Sequence, residues 1–141
     1  MDIITKDAES TQRLGQKIGS TLKGGEIIAL TGNLGAGKTT FVQGLAQGLG
    51  IMDRLTSPTF ILMREYYGEL NLYHLDMYRL ENNFWEEIRN LGLTDLWGKA
   101  GNVVVIEWAE KIKEFLPEST IWIDFIQKED ERIITTDSFE L

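Results

Sequence analysis

Glu26-Ile27-Ile28-Ala29-Leu30-Thr31-Gly32-Asn33-Leu34-Gly35-Ala36-Gly37-Lys38-Thr39-Thr40 sets a continuous apolar run against a glycine-punctuated loop. The run from Glu26 to Thr31 does not alternate, which suits a strand covered on both faces. Phe41, Val42, Leu45 and Leu49 then recur at helical spacing up to Gly50. Between strand and helix, Gly32-x-x-x-x-Gly37-Lys38-Thr39 matches the phosphate-binding loop pattern in full and in the right context. The glycines permit a tight path along which the backbone N–H groups of Asn33, Leu34, Gly35, Ala36 and Gly37 encircle phosphate oxygens. The helix N-terminus adds favourable partial charge. Lys38 is placed for the β- and γ-phosphates, the Thr39 hydroxyl for magnesium, and Thr40 for the α-phosphate.

Outward from this stretch, Asp7 or Ser10 can cap a helix carrying Leu14, Ile18 and Leu22 on one stripe, ended by Gly24-Gly25. Pro58 bars Ser57 from helical geometry, so Thr56-Ser57-Pro58-Thr59-Phe60 is an extended loop. Phe60 to Tyr67 and Leu70 to Asp76 form a β-hairpin turning at Gly68-Glu69, with Leu70, Leu72, His74 and Asp76 on one face. Asn82 to Leu91 is a helix with Phe84, Ile88 and Leu91 on one side. Val103 to Ile106 is a second buried strand, ending in Glu107-Trp108 and followed by a short helix up to Pro117. Thr120 to Gln127 and Arg132 to Thr136 are a final strand pair around Lys128 to Glu131. The expected architecture is a three-layer α/β fold of the P-loop NTPase type, its sheet mostly parallel with an antiparallel hairpin, forming one domain over residues 1–141.

Composition narrows the chemistry. The 141 residues include no cysteine and one histidine, His74, which removes disulfides, zinc-thiolate and iron-sulfur sites, thiol nucleophiles and histidine-rich metal centres. A formal charge of −8 argues against direct, strong binding to a phosphate backbone. The acidity is uneven: residues 107–141 carry 10 acids and 4 bases, as a solvated face or a surface for a basic partner. With no signal-like start and no membrane-length apolar run, a cytoplasmic protein away from membranes is expected.

Phosphoryl transfer needs an acid to order the magnesium shell and the attacking water. Glu107, ending an aliphatic strand, and Asp76, ending the strand before Met77-Tyr78-Arg79, are the candidates; a helix-capping charge is the alternative for Glu107. Trp108 is placed either to stack on a nucleotide base or as a rim residue of the core. His74 fits a packed or hydrogen-bonded strand residue better than a catalyst, and Trp85, Trp97 and Trp122 fit core or interface positions. Gly44 and Gly48 inside the helix after the loop imply close packing or mobility. No asparagine is followed by lysine, so the Asn-Lys-x-Asp base-reading string of GTPases is missing; Asp95-Leu96-Trp97-Gly98 matches Asp-x-x-Gly, but no aliphatic strand leads into it. ATP is the expected nucleotide.

The phosphate-binding loop, Thr56-Ser57-Pro58-Thr59-Phe60, His74-Leu75-Asp76-Met77-Tyr78-Arg79 and Glu107-Trp108-Ala109-Glu110, in this order, resemble the TsaE family of small bacterial ATPases in tRNA threonylcarbamoyladenosine (t6A) biosynthesis. The resemblance covers nearly the whole chain, the stretch from Glu81 to Gly101 being its weakest part. It implies weak, magnesium-dependent ATP hydrolysis and assembly with TsaB and TsaD, the latter transferring threonylcarbamoyl to adenosine 37 of tRNAs that read ANN codons. It further implies that Lys38 and Thr39 bind phosphate and magnesium, that the Thr56 to Thr59 loop is a nucleotide-sensing switch, that Asp76 and Glu107 assist the metal or the water, and that Trp108 lies in the nucleotide pocket. tRNA would be handled through the partners. Two other classes compete: a small-molecule kinase, whose arginine-bearing lid is poorly matched by a short chain with six scattered arginines at positions 13, 54, 64, 79, 89 and 132, and a non-hydrolysing nucleotide-dependent switch.

Overall fold

A computed structural model describes residues 2–32, 35, 37–53, 63–78, 92–137 and 139. The expected helix at Asn82 to Leu91, the Thr56 to Thr59 loop and the start of the first hairpin at residues 60–62 lie outside the described residues, as do Asn33, Leu34 and Ala36.

One seven-stranded sheet organises the rest: β1 (Asp2–Thr5), β2 (Ile27–Gly32), β3 (Met63–Tyr66), β4 (Asn71–Asp76), β5 (Asn102–Glu107), β6 (Ile121–Lys128) and β7 (Glu131–Thr136), in the order β1-β7-β6-β2-β5-β4-β3. The four central strands β6, β2, β5 and β4 run parallel. β3 joins β4 antiparallel at one rim, and β7 and β1 join β6 antiparallel at the other. The α/β class, the hairpin and the final strand pair stand as expected, and β1 is added to the second antiparallel rim.

Burial explains the unbroken apolar runs. Ile28 and Leu30 of β2, with Val103 and Val105 of β5, face helices α1 (Ala8–Thr21) and α2 (Lys38–Gly48) through Leu14, Ile18, Phe41, Val42 and Leu45. Ile27 and Ala29, with Val104 and Ile106, face the opposite way onto Ala109 and Ile112 of the 3-10 helix Ala109–Phe115. Both sides of the central strands are therefore dry, and alternation disappears from their sequence. The expected short helix before Pro117 is this 3-10 segment, interrupted at Ile112, where φ is −123°.

Local signals act where they were read. Asp7 caps α1: the Ser10 N–H donates to its Oδ1 at 2.7 Å, and the Asp7 N–H donates back to Ser10 Oγ at 3.3 Å. Strand β1 is the element that pattern reading misses. Its four residues carry no usable periodicity, and it becomes a strand only by pairing with β7, Ile3 opposite Ile134. The last hairpin is tighter than expected. Lys128 pairs with Glu131 and the turn narrows to Glu129-Asp130, Glu129 taking a left-handed φ of 57°. No helix among the described residues is long and apolar enough to cross a membrane.

The glycines of α2 are resolved in favour of packing. A Cβ on Gly44 would lie 1.9 Å from the Gln12 carbonyl oxygen, and one on Gly48 would lie 2.2 Å from that of Gln16, so α1 and α2 touch backbone to backbone. Alanine gains roughly 1 kcal/mol of helix propensity over glycine. Here the collision outweighs that gain, and Gly44→Ala is expected to lose about 1–3 kcal/mol through overpacking. Urea unfolding measures this; a Gly44→Ala protein more stable than wild type would show that the helices do not meet this closely.

Candidate functional site

The end of β2 leads through the phosphate-loop residues into α2, and a cavity of about 400 Å³ opens there. Gly35, Gly37, Lys38, Thr39 and Thr40 line it from the loop and helix, and Asp76, Glu107 and Trp108 from the strand ends beyond β2. Parallel register explains the meeting of the two carboxylates: Asp76, last in β4, pairs with Glu107, last in β5. Asn33, Leu34, Ala36 and Thr56 to Thr59, also expected at the site, lie outside the described residues.

Glu107 is 3% exposed, and its carboxylate is held at both oxygens. Thr39 donates its hydroxyl to Oε1 at 3.2 Å, and His74 Nε2 lies 2.5 Å from Oε2. With Glu107 ionised, Nε2 carries the proton and donates. The histidine is thus the hydrogen-bonded strand residue expected, bound to the candidate acid itself; its Nδ1 is buried without a partner. Asp76 is half-buried and accepts the Tyr78 N–H at 2.9 Å. Burial pushes its pKa above the ordinary carboxylate value against that N–H, and the neighbouring Glu107 adds to the rise.

Lys38 is nearly fully buried, which is rare for lysine unless its ammonium is engaged. Its Nζ donates to the Gly32 carbonyl at 2.6 Å and sits 3.6 Å from the Trp108 ring centroid. Desolvation lowers its pKa, opposed by the carboxylates of Glu107, Glu110, Asp76 and Asp124. Trp108 reaches this place through a left-handed backbone, φ 58° and ψ 38°. Such geometry is uncommon for a bulky residue and gathers at functional sites. It ends β5 abruptly and brings the indole over the lysine, with the Tyr78 ring 4.9 Å away.

Three residues at this site were not singled out from the sequence. Tyr78 lines the cavity from within the quoted His74 to Arg79 motif. Glu110, whose pKa is raised by desolvation against the pull of Lys38, is electrostatically coupled to the same ammonium. Arg132, read as one of several scattered arginines, also lines the cavity. It lies far along the chain on β7, and only the sheet order could have revealed it.

Hard-cation chemistry fits the donors. Thr39, Asp76 and Glu107 offer oxygen only, and among the described residues no group of three or more His, Asp or Glu side chains is arranged to hold a metal unaided. A cation here would complete its shell with phosphate oxygens and water, as magnesium does.

The family described as threonylcarbamoyl adenosine biosynthesis protein TsaE matches residues 5–134. The chain belongs to the TsaE family. It is 44% identical over 123 residues to the TsaE of Treponema pallidum, spanning 87% of this chain and 89% of that one. With the TsaE of Bacillus subtilis it shares 41% identity over 133 residues, 93% of this chain and 81% of the relative. The crystal structure of Bacillus subtilis YdiB superposes with a TM-score of 0.80 at 35% identity, covering 96% of this chain and 83% of that one. As a TsaE, the chain is a protein of t6A biosynthesis on tRNA.

The raised pKa of Asp76 has a consequence for stability. The folded state holds a proton more readily than the unfolded chain, so between the unfolded and folded pKa values stability falls as pH rises. Asp76→Asn keeps the acceptor for the Tyr78 N–H and removes the charge. Its Tm is expected above wild type at pH 7, with the gain shrinking as the pH drops below the folded pKa of Asp76. Thermal melts at pH 7 and pH 4 check this; a variant less stable at pH 7 would contradict it.

Proposed function

We propose that this TsaE binds ATP with magnesium in the cavity at the head of α2 and hydrolyses it slowly. In this reading it works with TsaB and TsaD so that threonylcarbamoyl transfer to adenosine 37 of tRNA can repeat. The supporting observation is the convergence of Lys38, Thr39, Asp76, Glu107 and Trp108 on one cavity at the end of β2. A net charge of −8 is consistent with leaving tRNA to the partners.

Each residue has a task in this reading. The Lys38 ammonium exchanges the Gly32 carbonyl and the Trp108 ring for the β- and γ-phosphates, a charge-assisted contact in a half-dry site. Thr39 and one of the two carboxylates, Glu107 or Asp76, would hold magnesium, which when bound supplies charge neutralisation at the phosphate oxygens. His74 keeps the Glu107 carboxylate oriented, and whichever of the two acids is not occupied by the cation orders the attacking water. The Thr56 to Thr59 loop serves as the nucleotide-sensing switch in this reading. The cavity of about 400 Å³ is of a size to take a nucleotide.

Lys38→Ala removes charge-assisted bonds worth about 1.5–3 kcal/mol, so ATP affinity should fall roughly 10- to 150-fold. Unchanged affinity in calorimetric titration would refute the role. Glu107→Gln should bind ATP with near wild-type affinity and lose most turnover. The decisive assay is multiple-turnover t6A formation on tRNA with TsaB, TsaD and the threonylcarbamoyl-adenylate donor. Repeated cycles are expected with the intact chain and single-round product with Lys38→Ala; cycles indifferent to either protein would remove the reading.

A further inference from the structure

Arg132 is charged, lines the cavity, and has no task in the reaction just described. On β7 it shares a face with Ile134, a fully buried member of the core under α1 and α2, so its side chain leaves the sheet toward the helices. There it crosses the phosphate loop. A Cβ on Gly37 would lie 2.9 Å from Arg132 Cδ and 3.0 Å from its Nε, so the arginine lies directly against the bare glycine of the loop. The Nε is buried and has no hydrogen-bond partner. Buried donors are almost always paired in folded proteins, and an unpaired guanidinium N–H at the rim of a ligand cavity is explained when the ligand carries the acceptor.

Sheet order says which part of a ligand this would be. The loop leaves β2; Glu107 on β5 and Asp76 on β4 stand to one side, and Arg132 on β7 stands to the other, beyond β6. Thr39 and Glu107 are hydrogen-bonded, so the carboxylate side is the end for the cation and the terminal phosphates. The arginine side is the opposite end. Gln127, paired with Arg132 across the β6–β7 ladder, borders the loop here too, its Oε1 3.9 Å from the Cβ position of Gly35. A guanidinium is suited to this end, because its planar fork can donate to sugar oxygens and lie against a base.

Resting on the reading of the cavity as an ATP site, we propose that Arg132 is a specificity-determining contact for the nucleoside end of the nucleotide, favouring ATP and ADP over bare polyphosphate. The sequence places this residue on the closing hairpin, remote from the loop, and the fold returns it to Gly37.

Calorimetric titration of wild type, Arg132→Ala and Arg132→Lys with Mg-ATP and with Mg-tripolyphosphate tests this. Both variants are expected to weaken ATP binding by about 10-fold or more while tripolyphosphate binding stays within roughly 2-fold. The lysine variant keeps the charge and most of the stem, so it holds the β7 packing while removing the planar fork, and far-UV circular dichroism verifies its folding. ATP affinity within about 2-fold of wild type in both variants would overturn the assignment. So would an equal loss for ATP and tripolyphosphate, which would make Arg132 a phosphate contact. If wild type bound neither ligand, the ATP reading itself would fall, and this proposal with it; wild-type binding with an indifferent Arg132 removes the proposal alone.

Discussion

The Glu107 carboxylate, taken out of water at the end of β5, is the constraint on which the site depends. A buried ionised carboxylate is costly unless its oxygens are satisfied. Here one oxygen is met by Thr39 at the start of α2 and the other by His74 on β4, so a single side chain ties three elements together. Those partners exist only if β4 and β5 hold their parallel register, His74 beside Val105 and Asp76 beside Glu107. A shift of β4 by one residue against β5 would turn His74 and Asp76 to the other face of the sheet, away from Glu107. In that register Leu72 and Leu75 of β4 and Val103 to Ile106 of β5 are all buried, so the core and the polar cluster are satisfied by the same pairing.

Lys38 answers the same constraint from the other side. Its ammonium sits among four carboxylates, yet burial still lowers its pKa, so it is under-solvated relative to water. The Gly32 carbonyl and the Trp108 ring compensate in part. Neither is an ion, and a polyanion entering the cavity would be a stronger partner than both. The left-handed turn at Trp108 keeps the indole over the lysine and is therefore part of how the buried ammonium is held.

Most of the central sheet was legible because its signals are local and agree with one another. The unbroken run at 27–30, the glycine pattern at 32–37 and the aliphatic strand ending in Glu107 each have one simple structural solution. The capping pair Asp7 and Ser10 belongs to the same class. What escaped was non-local. Strand β1 carries four residues and depends on β7 for its pairing. Arg132 shows no motif of its own and gains meaning from the order β7-β6-β2. Gly44 and Gly48 announced something unusual, but only the partner helix distinguishes close contact from mobility.

The two rims of the sheet divide the labour of the cavity. On the β5–β4 side the chain concentrates acids, hydroxyl and histidine, a set suited to a hard cation and to proton management. On the β6–β7 side Asp124 is taken up by the Thr31 hydroxyl, and Gln127 and Arg132 border the loop, an amide and a guanidinium suited to an uncharged sugar and base. The loop between them has glycines where side chains from the second rim come close, at Gly35 and Gly37. A polyphosphate held by backbone N–H groups along such a loop has two distinguishable ends only if its two flanks differ chemically. In this fold they differ because the chain lays β4 and β5 on one side of β2, bringing Asp76 and Glu107, and then crosses to lay β6 and β7 on the other, bringing Gln127 and Arg132.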